Sequence, residues 1–235
     1  EIPRSDWSSD VCSSDLIHIM ENQNIDTKQL ENSSIPFVNH FSKLRENPKW
    51  LVKLLILIVL AIITAFVSYF ATKDSVLSQF NGQMNSGVYL IMTLITSFFG
   101  MLFNAGIVFV IFLVISKIFK SDAKGSSIFS AALSYSIIIN AFSLIIIIIQ
   151  LLFGLSILEY KLDSLNIFAK DNKYLMAISL TNLLKAFLTG VVYYSTSRLS
   201  KKTSIILGIV ALVLLVGFGI ISGASGQSMP NMNTK

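Results

Sequence analysis

The sequence predicts an all-α, polytopic membrane protein with five transmembrane helices. Three observations predict it. Only 13% of the residues are charged, against about one quarter in a soluble domain. The shortfall sits in uncharged apolar runs of the length that crosses a bilayer, roughly 18 residues or more. Lysines flank those runs, which suits orientation in a membrane better than contact with nucleic acid.

Residues 1–19 are expected to lie outside the natural protein. Asp6 to Leu16 read DWSSDVCSSDL, one frame of a translated sequencing adapter, and Met20 opens an ordinary bacterial start, MENQNIDTKQL. Cys12 is the one cysteine, so disulfides, thiol catalysis and thiolate metal sites are set aside with it. The stretch has no apolar core behind basic residues and does not read as a signal peptide.

Residues 20–49 form a polar N-terminal segment, expected to be cytoplasmic. Within it Phe37, Val38, Phe41 and Leu44 recur at helical spacing opposite Lys43, Arg45 and Glu46. Two readings stand: a short amphipathic helix in the headgroup region, or an unstructured tail with apolar residues placed by chance. Pro48 and Trp50 mark membrane entry, with Trp50 at interfacial depth.

The membrane domain is expected over residues 50–222, with spans near 51–71, 87–118, 126–155, 174–197 and 203–222. The uncharged runs Asn85–Ser116 and Gly125–Leu158 would each extend about 50 Å as helix. That exceeds a hydrocarbon core of about 30 Å yet leaves no room for two spans and a turn, so each is one long helix. Residues 223–235 are expected to be a flexible tail.

Orientation follows from the basic residues. With the N-terminus inside, the cytoplasmic segments carry Lys28, Lys43, Arg45, Lys49, Lys53, Lys117, Lys120, Lys124, Arg198, Lys201 and Lys202. The opposite side carries Lys73, Lys161, Lys170, Lys173 and Lys235, partly neutralised by Glu159, Asp163 and Asp171. The bias places the N-terminus in the cytoplasm and the C-terminus outside a plasma membrane.

Polar side chains within spans are costly unless partnered. Thr93, Thr96, Ser97, Gly100 and Asn104 share one arc of span two. Ser136, Asn140, Ser143 and Gln150 share one of span three, and Ser179, Asn182, Lys185, Thr189, Tyr193 and Thr196 one of span four. The expectation is that spans two, three and four pack polar face to polar face. Lys185 then lies mid-span with no acidic residue in any span, and the candidate intramembrane cluster is Lys185, Asn182, Asn140, Asn104 and Gln150. Interhelical hydrogen bonding, a ligand or lipid site, and snorkelling all accommodate these residues. Gly219-x-x-x-Gly223 has the spacing of a helix contact.

No HExxH, GxSxG or phosphate-binding loop occurs. The histidines are His18 and His40 alone. No catalytic residue, metal site or cofactor is therefore assigned.

Two segments carry a family likeness: Lys117 to Ile137, KIFKSDAKGSSIFSAALSYSI, and Leu162 to Ile205, which contains NLLKAFLTGVVYYSTSRLSKK. With RENPKW at Arg45 to Trp50, they resemble the Yip family (Ypt-interacting, Yip-one type) in its bacterial branch, over roughly Pro48 to Leu215. Gly125, Ser127 and Phe129 match a Gly-small-aromatic loop, and Tyr135 a span-three tyrosine. The resemblance implies five spans. Eukaryotic relatives bind small GTPases in traffic between endoplasmic reticulum and Golgi, but the acidic DLYGP-type motif before span one is missing here, so GTPase binding is not expected. The resulting expectation is a non-enzymatic membrane protein that assembles with membrane lipids and other membrane proteins, with no nucleic-acid partner. The alternative is a transport role, as an exporter's accessory subunit or a small permease.

Overall fold

The computed structural model describes residues 33–80, 83–157, 160–169, 172 and 174–227. The adapter segment lies outside these residues, as does the end of the expected tail.

The described residues form six α-helices: α1 (Val38–Glu46), α2 (Trp50–Gln79), α3 (Ser86–Ile118), α4 (Gly125–Leu152), α5 (Leu180–Ser195) and α6 (Lys201–Gln227). Among the described residues there is no strand beyond an isolated Ser164–Ser179 bridge. Four helices, α2, α3, α4 and α6, are long and apolar enough to cross a membrane. The α5 helix has 16 residues, about 24 Å, and runs from the α4–α5 loop back to the end where α3 finishes. The bundle is therefore crossed five times, the fourth by a short helix.

Local chemistry sets these limits. Asn85 caps α3 by accepting the Gly87 amide at 2.8 Å. The α3 helix ends with Lys120 in the left-handed region (φ 53) and Ser121 N–H returning to Ser116 C=O at 2.8 Å, a Schellman closure without the usual glycine. The α4 helix closes the same way through Gly154 (φ 66), with Leu155 N–H on Gln150 C=O at 2.9 Å. Span four is shorter than expected because residues 174–179 are not α-helical. Leu175–Ala177 form a 3₁₀ turn, and Ser179 is the N-cap of α5, accepting the Asn182 amide at 3.2 Å.

Packing centres on α4. Its first half, GSSIFSAALSYS, supplies small side chains that let neighbouring backbones approach, and Ser127, Ser130, Ala131, Ala132, Ser134 and Ser136 are all buried. The α2 and α3 helices lie against it on one side; α1 and α5 lie on the other, with α6 paired to α5. Phe112 of α3 meets Tyr135 of α4 and Tyr193 of α5, both with ring centroids at 5.4 Å. Trp50, at the head of α2, and Phe109 of α3 both pack on Phe129.

Three expectations are corrected here. The Thr96, Gly100 and Asn104 arc of α3 faces outward and is exposed, because α3 turns Met101, Ala105, Phe112 and Ser116 inward instead. Gly219 makes its close approach within the chain: a Cβ there would sit 2.6 Å from the Ala177 Cβ, so this glycine admits the 3₁₀ turn. The helical run of α6 also continues past Ser222 to Gln227.

Candidate functional site

The expected cluster around Lys185 is not brought together as one site. Asn104 is exposed on α3. Asn140 returns its amide to Ser136 C=O of its own helix at 2.8 Å. Gln150 is buried and donates to Tyr160 C=O at 3.0 Å, tying down the loop after α4. Asn182 donates to Ala177 C=O at 2.7 Å, so it belongs to the start of α5. Lys185 is half-buried in the second turn of α5, not at mid-span.

Its surroundings are set by the α4–α5 loop. Asp163 is buried, and its carboxylate accepts both the backbone amide of Thr181, at 2.9 Å, and the Thr181 hydroxyl. An anion against the first N–H groups of a helix satisfies orphan donors and complements the helix dipole. Lys161 donates to Ser179 Oγ at 3.2 Å and stands 3.9 Å from Asp163 Oδ1. The charges acting on Lys185 are those of Lys161 and Asp163. Lys185 thus has an acidic neighbour after all, delivered by a loop and not by a span.

The more extensive polar constellation lies at the other end, where α1 meets the bundle. The helical reading of the segment holds, but its apolar face meets protein and not headgroups. Val38 and Phe41 are fully buried and Leu44 nearly so, packed with residues of α4 and α5. Arg45 closes the contact. Its Nη1 donates to Thr196 C=O at 2.8 Å, and its Nη2 donates to Asp122 Oδ1 at 2.5 Å. The planar fork of a guanidinium can serve both acceptors at once, which an ammonium cannot do with the same geometry.

Each bond answers a helix-end requirement. The last carbonyls of a helix lack intrahelical donors. Thr196 C=O, the C-cap of α5, receives Arg45, and Arg45 C=O, near the end of α1, receives Ser127 Oγ at 2.9 Å. Thr196 Oγ1 donates to Phe41 C=O at 3.1 Å. Ser197 joins the end of α3 through Ser116 Oγ at 2.7 Å, and Ser121 Oγ donates to Ser197 C=O at 2.7 Å.

Backbone strain gathers at the same place. Among the described residues the non-glycine positions with positive φ are Phe37, Lys120 and Arg198. They lie at the start of α1, beside Ser121–Asp122, and beside Thr196–Ser197. Left-handed geometry costs a non-glycine residue roughly 1–2 kcal/mol, and surrounding structure must over-determine it. The Arg45 guanidinium beside Asp122 holds that carboxyl below the usual range. On the same helix, burial and then Lys53 push His40 below its ordinary value.

Sequence reasoning passed over this junction, though a signal was present. Apart from Arg4, the arginines are Arg45 and Arg198 in a chain otherwise supplied with lysine. Both stand at the junction.

Residues 35–223 match the model of the Yip1 domain. The chain belongs to the Yip1 domain family. The match opens at Ile35, just ahead of α1, so the Yip1 domain includes the docked helix and not only the spans. No curated protein and no solved structure matches the chain. Gly125, Ser127, Phe129 and Tyr135, which carried the likeness in the sequence, occupy the buried or aromatic-packed half of α4. Family membership and apolar helices make this a multi-pass membrane protein carrying a Yip1 domain.

Proposed function

We propose that this Yip1-domain protein is a non-enzymatic assembly component of a bacterial plasma membrane, acting by contact with other membrane proteins and lipids. The supporting observation is Asn104. Its amide is exposed on the outer face of α3, far from either helix end, beside the exposed Gly100 and Thr96. An amide facing hydrocarbon without a partner loses hydrogen bonds that a neighbouring helix can restore, a gain of about 1 kcal/mol. Gly100 has open space where a side chain would stand, so a partner helix can approach closely there. Small-GTPase binding is not part of this reading, since the acidic motif that carries it in eukaryotic relatives is missing from the sequence.

The test is a photo-activatable side chain at Phe103, which is 73% exposed on the same face of α3, irradiated in native membranes. A discrete protein adduct that weakens in Asn104→Leu is expected. Adducts with lipid alone would contradict the reading. The proposed orientation, N-terminus cytoplasmic and C-terminus outside, rests on the asymmetry of basic residues. Single cysteines at Ser121 and Ser200 should resist an impermeant maleimide in intact cells, and one at Ser78, exposed at the far end of α2, should react. The reverse pattern would invert the topology.

A further inference from the structure

A groove of about 320 Å³ runs between α5 and α6. Two glycines form its floor. A Cβ on Gly190 would lie 3.1 Å from Ser204 C=O, and one on Gly208 would lie 3.0 Å from Ala186 C=O, so the backbones touch and the larger side chains stand apart as walls. The walls are apolar, with Leu183, Phe187, Ile205, Ile209 and Leu212 among them. From Leu183 to Tyr194 the groove follows eleven helical steps, about 16 Å. That is close to half of a hydrocarbon core of about 30 Å, the depth of a single leaflet.

One end differs from the rest. At the α1 side, where Ile35 and Val38 cover the groove, the lining includes Lys201 and Ser204. Lys201 is exposed and has no ion-pair partner among the described residues. Ser204 is only 2% exposed, and its hydroxyl has no hydrogen-bond partner among the described residues. A buried hydroxyl left unmatched costs about 1–3 kcal/mol, and a bound oxygen atom would remove that cost. Asp122, an acid at the α1 end of the bundle, is already engaged by Arg45.

We propose that this groove binds one acyl chain of an anionic glycerophospholipid from the leaflet on the α1 side. The headgroup phosphate pairs with Lys201, and a glycerol-ester oxygen accepts the Ser204 hydroxyl. Length, apolar lining, one unpaired cation and one orphaned hydroxyl at a single end are the features such a molecule matches together. This rests on the lipid half of the proposed function, and its test is separate from the cross-link at α3.

The full chain is reconstituted into nanodiscs of equal phosphatidylglycerol and phosphatidylcholine, extracted, and its retained lipid identified by native mass spectrometry. The parent should retain phosphatidylglycerol over phosphatidylcholine by about fivefold, the effect of one lysine near an anionic surface. Lys201→Gln should abolish that preference, and Lys202→Gln, which does not line the groove, should leave it. Ile209→Trp narrows the groove and should lower retention of both lipids. Ser204→Ala, a smaller change that keeps the packing, should do the same to a lesser degree. Equal retention of the two lipids by the parent would overturn the proposal. So would loss of the preference in Lys202→Gln to the same extent as in Lys201→Gln, or parental lipid content in both Ser204→Ala and a helical Ile209→Trp.

Discussion

The two ends of this bundle are held in different ways. At the α1 end, hydrogen bonds join residues 76 to 155 positions apart, with Arg45, Thr196, Ser197 and Ser121 as the hubs. At the opposite end, Asp163, Lys161 and Gln150 bond partners 10 to 18 positions away. Long-range contacts form only after the intervening loops have closed, at an entropic cost that local contacts largely avoid. The α1 end therefore records whether the whole bundle is assembled, while the α4–α5 loop can form around the start of α5 by itself. A segment that reads in the sequence either as a surface helix or as an unstructured tail is in the structure a helix packed against α4 and α5.

The comparison can be broken first at Phe41. Its side chain is fully buried under α1, and Phe41→Ala should cost about 3–5 kcal/mol. Thermal unfolding in nanodiscs should show that loss, and hydrogen exchange should show α1 released while residues 161–169 and 174–181 stay protected. Exchange rising equally at both ends would mean the ends are coupled.

Arg45→Ala comes next. It removes two charge-assisted bonds, one to a helix-end carbonyl, for roughly 2 kcal/mol. Arg45→Lys should recover only part, because a single ammonium replaces the fork. Full recovery would show that charge alone suffices. At the other end, Asp163→Asn should cost about 1 kcal/mol, since the amide oxygen still accepts from Thr181 but without charge assistance. Its exchange signature should stay within the loop and the first turns of α5. Opening of α1 in this variant would break the distinction between the ends.

The smallest effect is one of pH. Arg45 lowers the Asp122 pKa in the folded protein relative to its ordinary 3.8. The resulting stability is fully present above 3.8 and is lost as pH falls through the lowered folded value. The Asp122 side chain is 70% exposed, so solvent screening keeps the contribution below about 1 kcal/mol. An acid titration of stability should flatten slightly in Asp122→Asn. An unchanged acid limb would show that the pair contributes nothing measurable.

The helical, multi-span fold was legible because charge depletion and run length are one-dimensional properties, readable without knowing what packs on what. Span four was only partly legible. Its apolar run includes Tyr174 to Ile178, but the Ser179 cap and the Asp163 carboxylate start the helix at Leu180, and a cap supplied from a loop leaves no periodic trace. That shift moves Lys185 from mid-span to the second turn and gives it Asp163 as an electrostatic neighbour. Of the polar arc of α3, Thr96, Gly100 and Asn104 face outward while Thr93 and Ser97 are half-buried, since periodicity identifies a face without saying what it meets. The Arg45 junction was hidden for a related reason. Its members stand at four places in the chain, and each alone reads as an ordinary flanking residue.

The α1 helix is docked in the bundle and does not float on the membrane surface. The most direct test of this docking is a pulsed-EPR distance between spin labels at Lys43 and Lys202, both exposed, in nanodiscs, with Cys12 replaced by serine. A single narrow distribution is expected, broadening when Phe41→Ala is added. A broad distribution in the parent, or a narrow one indifferent to Phe41→Ala, would contradict it.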